Sequence, residues 1–272
     1  LREDGRTAEA EEFFRLPRVR PAERWPPTFF AVMSKDLRVL LWDIDGTLIR
    51  STRPGGFKDY TIPALEKVFG TAGRLSEMTV SGMTDLQIVG EALSDAGFTR
   101  EQVRARVEDL RLHYHEALAG ALAEAGGEPL FEVLPGVREA LEAVESRARY
   151  RSALLTGNFE PAARLKLEAV GLWDFFRLPG AFGDDSHDRR DLPALAAHRI
   201  NQHLGLELEP AQFIVIGDTP NDISCARHFG ARAIGVGTGR VHGIATLAPH
   251  SPDVLLPDLA DTAAFLNALE RL

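Results

Sequence analysis

Two aspartates one residue apart and followed by glycine, Asp43-Ile44-Asp45-Gly46-Thr47, offer this chain its clearest chemistry. A carboxylate is a competent nucleophile toward a phosphoryl group. A carboxyl beside it can protonate the leaving oxygen and later activate water. Asp218 and Asp222, in Gly217-Asp218-Thr219-Pro220-Asn221-Asp222, add further negative charge. Clustered carboxylates repel one another unless a cation lies among them, and hard oxygen donors suit Mg²⁺. Thr156-Gly157-Asn158 supplies a hydroxyl and amides at the expected start of a helix, where donors and dipole favour an anion. Each motif alone has a plainer reading: Asp-Gly is ordinary turn chemistry, and Asp218 or Asp222 could cap a helix.

These residues need a scaffold that brings them together. Arg38 to Trp42, Ser152 to Leu155, Phe213 to Ile216 and Arg232 to Val236 read as buried strands. Helical patterns follow at Ala162 to Val170 and Asp222 to Phe229. Strands alternating with helices predict an α/β fold, a doubly wound parallel sheet of Rossmann-like type. Ligands in such sheets bind beyond the carboxyl ends of the strands, where all three motifs fall.

Between the first two motifs the texture is helical. Ile88, Val89, Ala92 and Leu93 mark one stripe; Val103, Val107, Leu110, Tyr114 and Leu118 mark another. This predicts an α-helical cap over residues 58–134, inserted into a core of 35–57 and 135–272. Residues 1–34, rich in Arg, Glu and Pro without a sustained period, are expected to be an N-terminal extension, poorly ordered or non-native, with Met33 as the natural start.

Composition narrows the partners. The formal charge of −9 disfavours nonspecific nucleic-acid binding. No apolar run approaches the roughly 20 residues of a membrane helix. The single cysteine, Cys225, excludes an internal disulfide framework and suits a reducing cytoplasm. It is expected in the core. His113 and His115 read as a solvated helix face, Asp184, Asp185 and His187 as a loop of solvated charges. Trp42 is expected to point away from Asp43 and pack.

Asp43-x-Asp45-Gly46-Thr47, Thr156-Gly157-Asn158 and Gly217-Asp218-Thr219-x-x-Asp222, in this order and each at a strand end, resemble the haloacid dehalogenase superfamily of phosphatases. The resemblance covers about residues 36–271. It implies Asp43 as nucleophile and Asp45 as acid/base. It implies Mg²⁺ on the Asp43 carboxylate, the Asp45 carbonyl and Asp218, with Asp222 a further ligand or its partner, and Thr156 on the transferring phosphoryl group. It also implies one cation beside the nucleophile. The commonest pattern, Lys-Pro, is replaced by Asp188-Arg189-Arg190-Asp191-Leu192-Pro193. Arg190 takes the lysine position if Pro193 is aligned; Arg189 and Lys166 are the alternatives.

Within that family Asp45 argues for phosphoryl transfer, since dehalogenases lack the second acid. The loop Thr79 to Asp85 resembles the specificity loop of phosphoglycolate-phosphatase-like members, with Gly82, Thr84 and Asp85 as candidate substrate contacts; Thr84 or Asp85 could instead cap the helix Leu86 to Leu93. The expected partner is a small phosphorylated metabolite, with no nucleic acid and no membrane, and oligomeric state open. A phosphomutase, or a phosphate-binding regulatory protein without turnover, are the alternatives.

Overall fold

The computed structural model describes residues 35–272, and the expectations for residues 1–34 lie outside the described residues. Residues Asp36–Leu272 form one compact unit. Its centre is a five-stranded sheet in the order β4-β1-β5-β6-β7. The strands are β1 Arg38–Trp42, β4 Tyr150–Leu154, β5 Phe213–Gly217, β6 Arg232–Val236 and β7 Val254–Leu256, all parallel to their neighbours.

Strand β1 shows why both faces must be covered. Side chains alternate along a strand, and here both sets are apolar. Leu40 and Trp42 join the core that includes Val137, Leu141, Phe265 and Leu269; Val39 and Leu41 join the one that includes Leu192, Ala196, Ile200 and Ile223. The first core draws on helices Val137–Glu145 and Thr262–Glu270, the second on Leu192–Leu204 and Pro220–Phe229. Trp42 therefore points away from the face Asp43 would follow, stacks near Phe265 at 5.7 Å between ring centroids, and donates from Nε1 to Ser152 at 3.2 Å.

Register puts three strand ends side by side. Trp42 is level with Leu154 on one side and Ile216 on the other. The Asp43 amide still donates to the Ile216 carbonyl at 3.0 Å. Thr156 and Asp218 thus emerge beside Asp43. Successive connections leave β1 in opposite directions along the sheet, the point where an open α/β sheet forms its crevice.

Residues beyond β1 make a small antiparallel ribbon that the sequence pattern did not announce. Strand β2, Ile49–Ser51, pairs with β3, Phe131–Val133. Between them run helices Lys58–Phe69, Asp85–Leu93, Arg100–Arg104 and Val107–Glu124. The predicted stripes do the packing: Ile88, Val89, Ala92, Leu93, Val103, Leu110, Tyr114 and Leu118 are buried, and Val107 packs against them partly covered.

Candidate active site

Gly46 lets two carboxylates converge. It takes φ +96°, and a β-carbon there would collide with the Asp218 carboxylate, so only glycine allows this approach. The chain turns tightly, with the Gly46 amide donating to the Ile49 carbonyl at 2.7 Å. Asp43 ends buried at the sheet edge. Asp45 stands out into the cleft, its side chain 44% exposed.

Asp43, Asp218 and Asp222 are buried, and one carboxylate oxygen from each lies within 4.8 Å of the others. Thr47 donates to Asp218 at 3.1 Å. The Thr219 amide and hydroxyl both donate to Asp222, at 2.9 and 2.7 Å, as part of the cap of helix Pro220–Phe229. Arg189 is the cation of this group. Its Nη2 donates to Asp43 at 2.7 Å and to Asp222 at 2.6 Å, with the side chain only 6% exposed. Burial pushes the Asp43 carboxyl up to about 7 against the pull of Arg189. Burial, with the charges of Asp43 and Asp222, holds Asp218 well above the ordinary carboxylate range.

A second cation serves the second acid. Lys166, in the last turn of helix Glu160–Ala169, donates to both Asp45 oxygens at 3.0 and 2.8 Å and to Asn158 Oδ1 at 2.6 Å. The Asn158 amide donates to Asp45 and to Thr156 Oγ1, each at 2.7 Å. The rings of Tyr60 and Phe131 flank the ammonium at 5.8 and 5.7 Å. Burial disfavours the charged lysine, yet Asp45 and its other neighbours outweigh that and hold it protonated.

Arg190 is not part of the cluster. It is exposed and closes a salt bridge on Asp188 at 2.5 Å. Arg189–Asp191 is a single 3₁₀ turn, in which consecutive side chains point about 120° apart. Burying Arg189 therefore turns Arg190 out. The loop before it is also less solvated than expected. Asp184 is buried against Arg111 at 3.0 Å, Asp185 is clamped by Arg199 at 2.5 Å, and His187 Nδ1 lies 3.1 Å from the Leu86 carbonyl. The helical segment covers this loop. His113 and His115 are half-buried rather than solvated, with His113 Nδ1 2.8 Å from Glu116. Cys225 is buried, and burial pushes its thiol up to about 12, so it is unreactive.

The cap-loop candidates divide. Thr84 caps helix Asp85–Leu93, accepting from the Gln87 amide at 3.1 Å. Asp85 instead docks on the core: its carboxylate accepts from the Phe159 amide at 2.8 Å, and its own amide donates to the Gly157 carbonyl at 2.7 Å. A side chain at Gly157 would strike the Met83 carbonyl. The Gly82 carbonyl accepts from Asn221 at 2.8 Å. Gly82 and Asp85, with Asp43, Asp45, Asn158, Lys166, Arg189 and Asp218, line one cavity of about 430 Å³. Tyr60 and Phe131 gave no signal in the sequence, since an aromatic on a helix stripe or in a three-residue strand is ordinary; Thr47 stood in the first motif without a role of its own.

Comparison with known proteins shows the family. The model of the haloacid dehalogenase-like hydrolases matches residues 40–227. The chain belongs to that family. A protein named probable phosphatase IndB, from Dickeya dadantii, is 27% identical over 86% of this chain and 95% of its own. The phosphoglycolate phosphatase of Pectobacterium atrosepticum is 29% identical, over 83% and 90%. Among solved structures, one described as a predicted phosphoglycolate phosphatase from Haemophilus somnus superposes with a TM-score of 0.57 at 22% identity, covering 85% of this chain and 98% of that one. The β-phosphoglucomutase of Clostridium difficile gives 0.59 at 16%, covering 86% and 98%. At those identities the structures speak for the fold of this hydrolase alone.

The buried cluster fits a divalent cation. Three carboxylates face a single guanidinium, which leaves negative charge without a partner, and burial already works against holding all three ionised. Asp43 keeps one oxygen free of any hydrogen bond from Arg189, and Asp218 one free of Thr47. Both Asp222 oxygens already have donors. Hard oxygen donors and a net negative pocket are what Mg²⁺ takes. Among the described residues, no helix is long and apolar enough to cross a membrane.

Proposed function

We propose that this hydrolase is a phosphatase that cleaves a small phosphomonoester through a covalent phospho-aspartate on Asp43, with Mg²⁺ as its metal. The observation that supports this most is the placement of two carboxylates with two separate cations. Asp43 lies against Arg189, and Asp45, across the cleft mouth, lies against Lys166.

The phosphoryl group binds on the cavity wall formed by Gly157, Asn158, Lys166 and Arg189; Thr156 is fully buried and supports that wall by accepting from the Asn158 side chain. Asp43 attacks phosphorus, and the bond to the ester oxygen breaks. Bound phosphoryl oxygens compete for Lys166, so the released Asp45 carboxylate takes up a proton from solvent and passes it to the departing oxygen. Asp45 then takes a proton from water as that water attacks the phospho-aspartate, freeing phosphate and restoring the Asp43 carboxylate. Asp43, Asp218 and the Asp45 carbonyl would hold the metal, with Asp222 fixing Arg189; the bound cation would supply charge to offset the phosphoryl oxygens. Arg189 and Lys166 add donors to the same charge. Helices Lys58–Phe69 to Val107–Glu124 act as the cap that excludes bulk water and selects the leaving group. The similarity to phosphoglycolate phosphatases supports a small phosphorylated metabolite as the substrate.

Release of phosphate from p-nitrophenyl phosphate tests this directly. Wild type should turn over with Mg²⁺ and lose activity in EDTA. Asp43→Asn should fall by about a thousandfold or more. Equal rates in Asp43→Asn and wild type would sink the covalent route.

A further inference from the structure

The cavity holds more positive charge than phosphoryl transfer uses. Besides Lys166 and Arg189, its wall includes Arg50, Arg53, Lys58 and Arg240. Two of these four are already neutralised. Arg50 pairs with Glu132 at 2.5 Å, across the β2–β3 ribbon, and Arg53 pairs with Asp59 at 2.7 Å. The other two have only carbonyl oxygens. Lys58 Nζ donates to the Ser76 carbonyl at 2.6 Å, and Arg240 Nη2 donates to the Ser51 carbonyl at 2.8 Å. Neither makes a salt bridge with any described carboxylate, in a chain whose net charge is −9. Each is tethered by one donor and keeps the rest, two on an ammonium and four on a guanidinium. They reach the cavity from separate elements: Lys58 opens helix Lys58–Phe69, and Arg240 lies in the loop after β6. The same wall also carries apolar Phe57, Met78, Val80, Met83 and Ile88.

A cavity with a phosphoryl site and two further cations that lack a carboxylate partner is complementary to a molecule charged at two places. We propose that Lys58 and Arg240 form a second anion subsite, so that the preferred substrate is a phosphomonoester whose organic part carries another anionic group, phosphate or carboxylate. This rests on the phosphatase reading and adds the chemical class of the substrate. Lys58 comes from the cap and Arg240 from the core, so the distal anion also ties the two together across the cleft. Two separate charges match a phosphate dianion better than a single carboxylate.

Matched substrate pairs test the subsite. With Mg²⁺ present, kcat/KM is compared for 2-phosphoglycolate against ethyl phosphate, for fructose 1,6-bisphosphate against fructose 6-phosphate, and for p-nitrophenyl phosphate. Wild type, Lys58→Gln, Arg240→Gln and the double variant are each measured. Wild type should favour the doubly anionic member of at least one pair. Each substitution should raise KM for that member by about tenfold, with p-nitrophenyl phosphate kept within about twofold. The pair that responds tells carboxylate from phosphate. Turnover of p-nitrophenyl phosphate with no preference for a second anion, or a preference that survives in the double variant, overturns the subsite and leaves the phosphatase. No turnover of any ester by wild type overturns both.

Discussion

Arg189 and Arg190 are neighbours with opposite fates, and substitution should separate them cleanly. Arg190→Gln loses only a surface pair with Asp188, and exposed pairs contribute about 0–1 kcal/mol; its kcat/KM should match wild type. Arg189→Gln leaves Asp43 and Asp222 without the guanidinium they share, so kcat should fall by about 10²–10³, the usual cost of one donor to transition-state charge. Arg189→Lys should recover only part of this, because a compact ammonium on a shorter stem does not carry its donors to the position from which Nη2 serves both carboxylates. Steady-state kinetics on p-nitrophenyl phosphate with Mg²⁺ reads all three; a near wild-type Arg189→Gln would remove Arg189 from the chemistry. The sequence left Lys166, Arg190 and Arg189 open for a physical reason. Alignment on Pro193 counts residues along the chain, whereas the 3₁₀ turn decides which of two adjacent arginines faces inward. Lys166 was legible as a candidate because two helical turns from the Thr156 loop is within a lysine's reach, and the structure spends it on Asp45.

The helix Asp85–Leu93 joins cap to core through a buried carboxylate. Burial pushes Asp85 up to about 7, opposed by its hydrogen bond from the Phe159 amide. In the unfolded chain the same group titrates near 3.8. The native state therefore holds a proton that the unfolded state has lost, over the window from about pH 4 to about pH 7. Its contribution to stability is fully present below that window and declines as pH rises through it, by about 1.4 kcal/mol per unit. Asp85→Asn keeps an acceptor for Phe159 and cannot ionise. The variant should lack this slope and exceed wild type in stability at pH 8. Denaturant unfolding of both proteins from pH 4 to 8, at saturating Mg²⁺, measures the difference; parallel curves would show that Asp85 does not titrate there. At this scale the five-residue strands β1, β5 and β6 were legible because an apolar run followed by turn chemistry is a strong pattern. Strands β2 and β3 have three residues each and no apolar run, and the apolar run of β7, Val254–Leu256, is too short to read as a strand. Asp184, Asp185 and His187 looked solvated because covering by a distant helix, through Arg111 and Leu86, leaves no mark in the local sequence.

The molecule as a whole gathers three buried carboxylates around one arginine at its centre, and the proposed Mg²⁺ would offset their charge. Asp43, Asp218 and Asp222 come from two motifs some 175 residues apart in the chain and meet only because β1 and β5 are paired. Folding without a cation forces these carboxylates together around one arginine. Wild type should therefore gain stability with Mg²⁺ by RT ln(1 + [L]/Kd), about 2.7 kcal/mol at a concentration one hundred times Kd. Asp218→Asn changes both halves of the balance. It removes one of the repelling charges, so the metal-free variant should unfold at a higher temperature than metal-free wild type. It also removes a ligand, so Mg²⁺ should no longer raise that temperature appreciably. Thermal unfolding of the two proteins in EDTA and in millimolar Mg²⁺ gives four melting points and needs no catalytic turnover. If wild type and Asp218→Asn shift equally with Mg²⁺, the ion binds elsewhere. If the metal-free variant melts below metal-free wild type, the Thr47 hydrogen bond and local packing of Asp218 outweigh repulsion among the three carboxylates. The predicted crossing, with the variant more stable without the ion and less stable with it, follows only from a carboxylate kept in place for its metal.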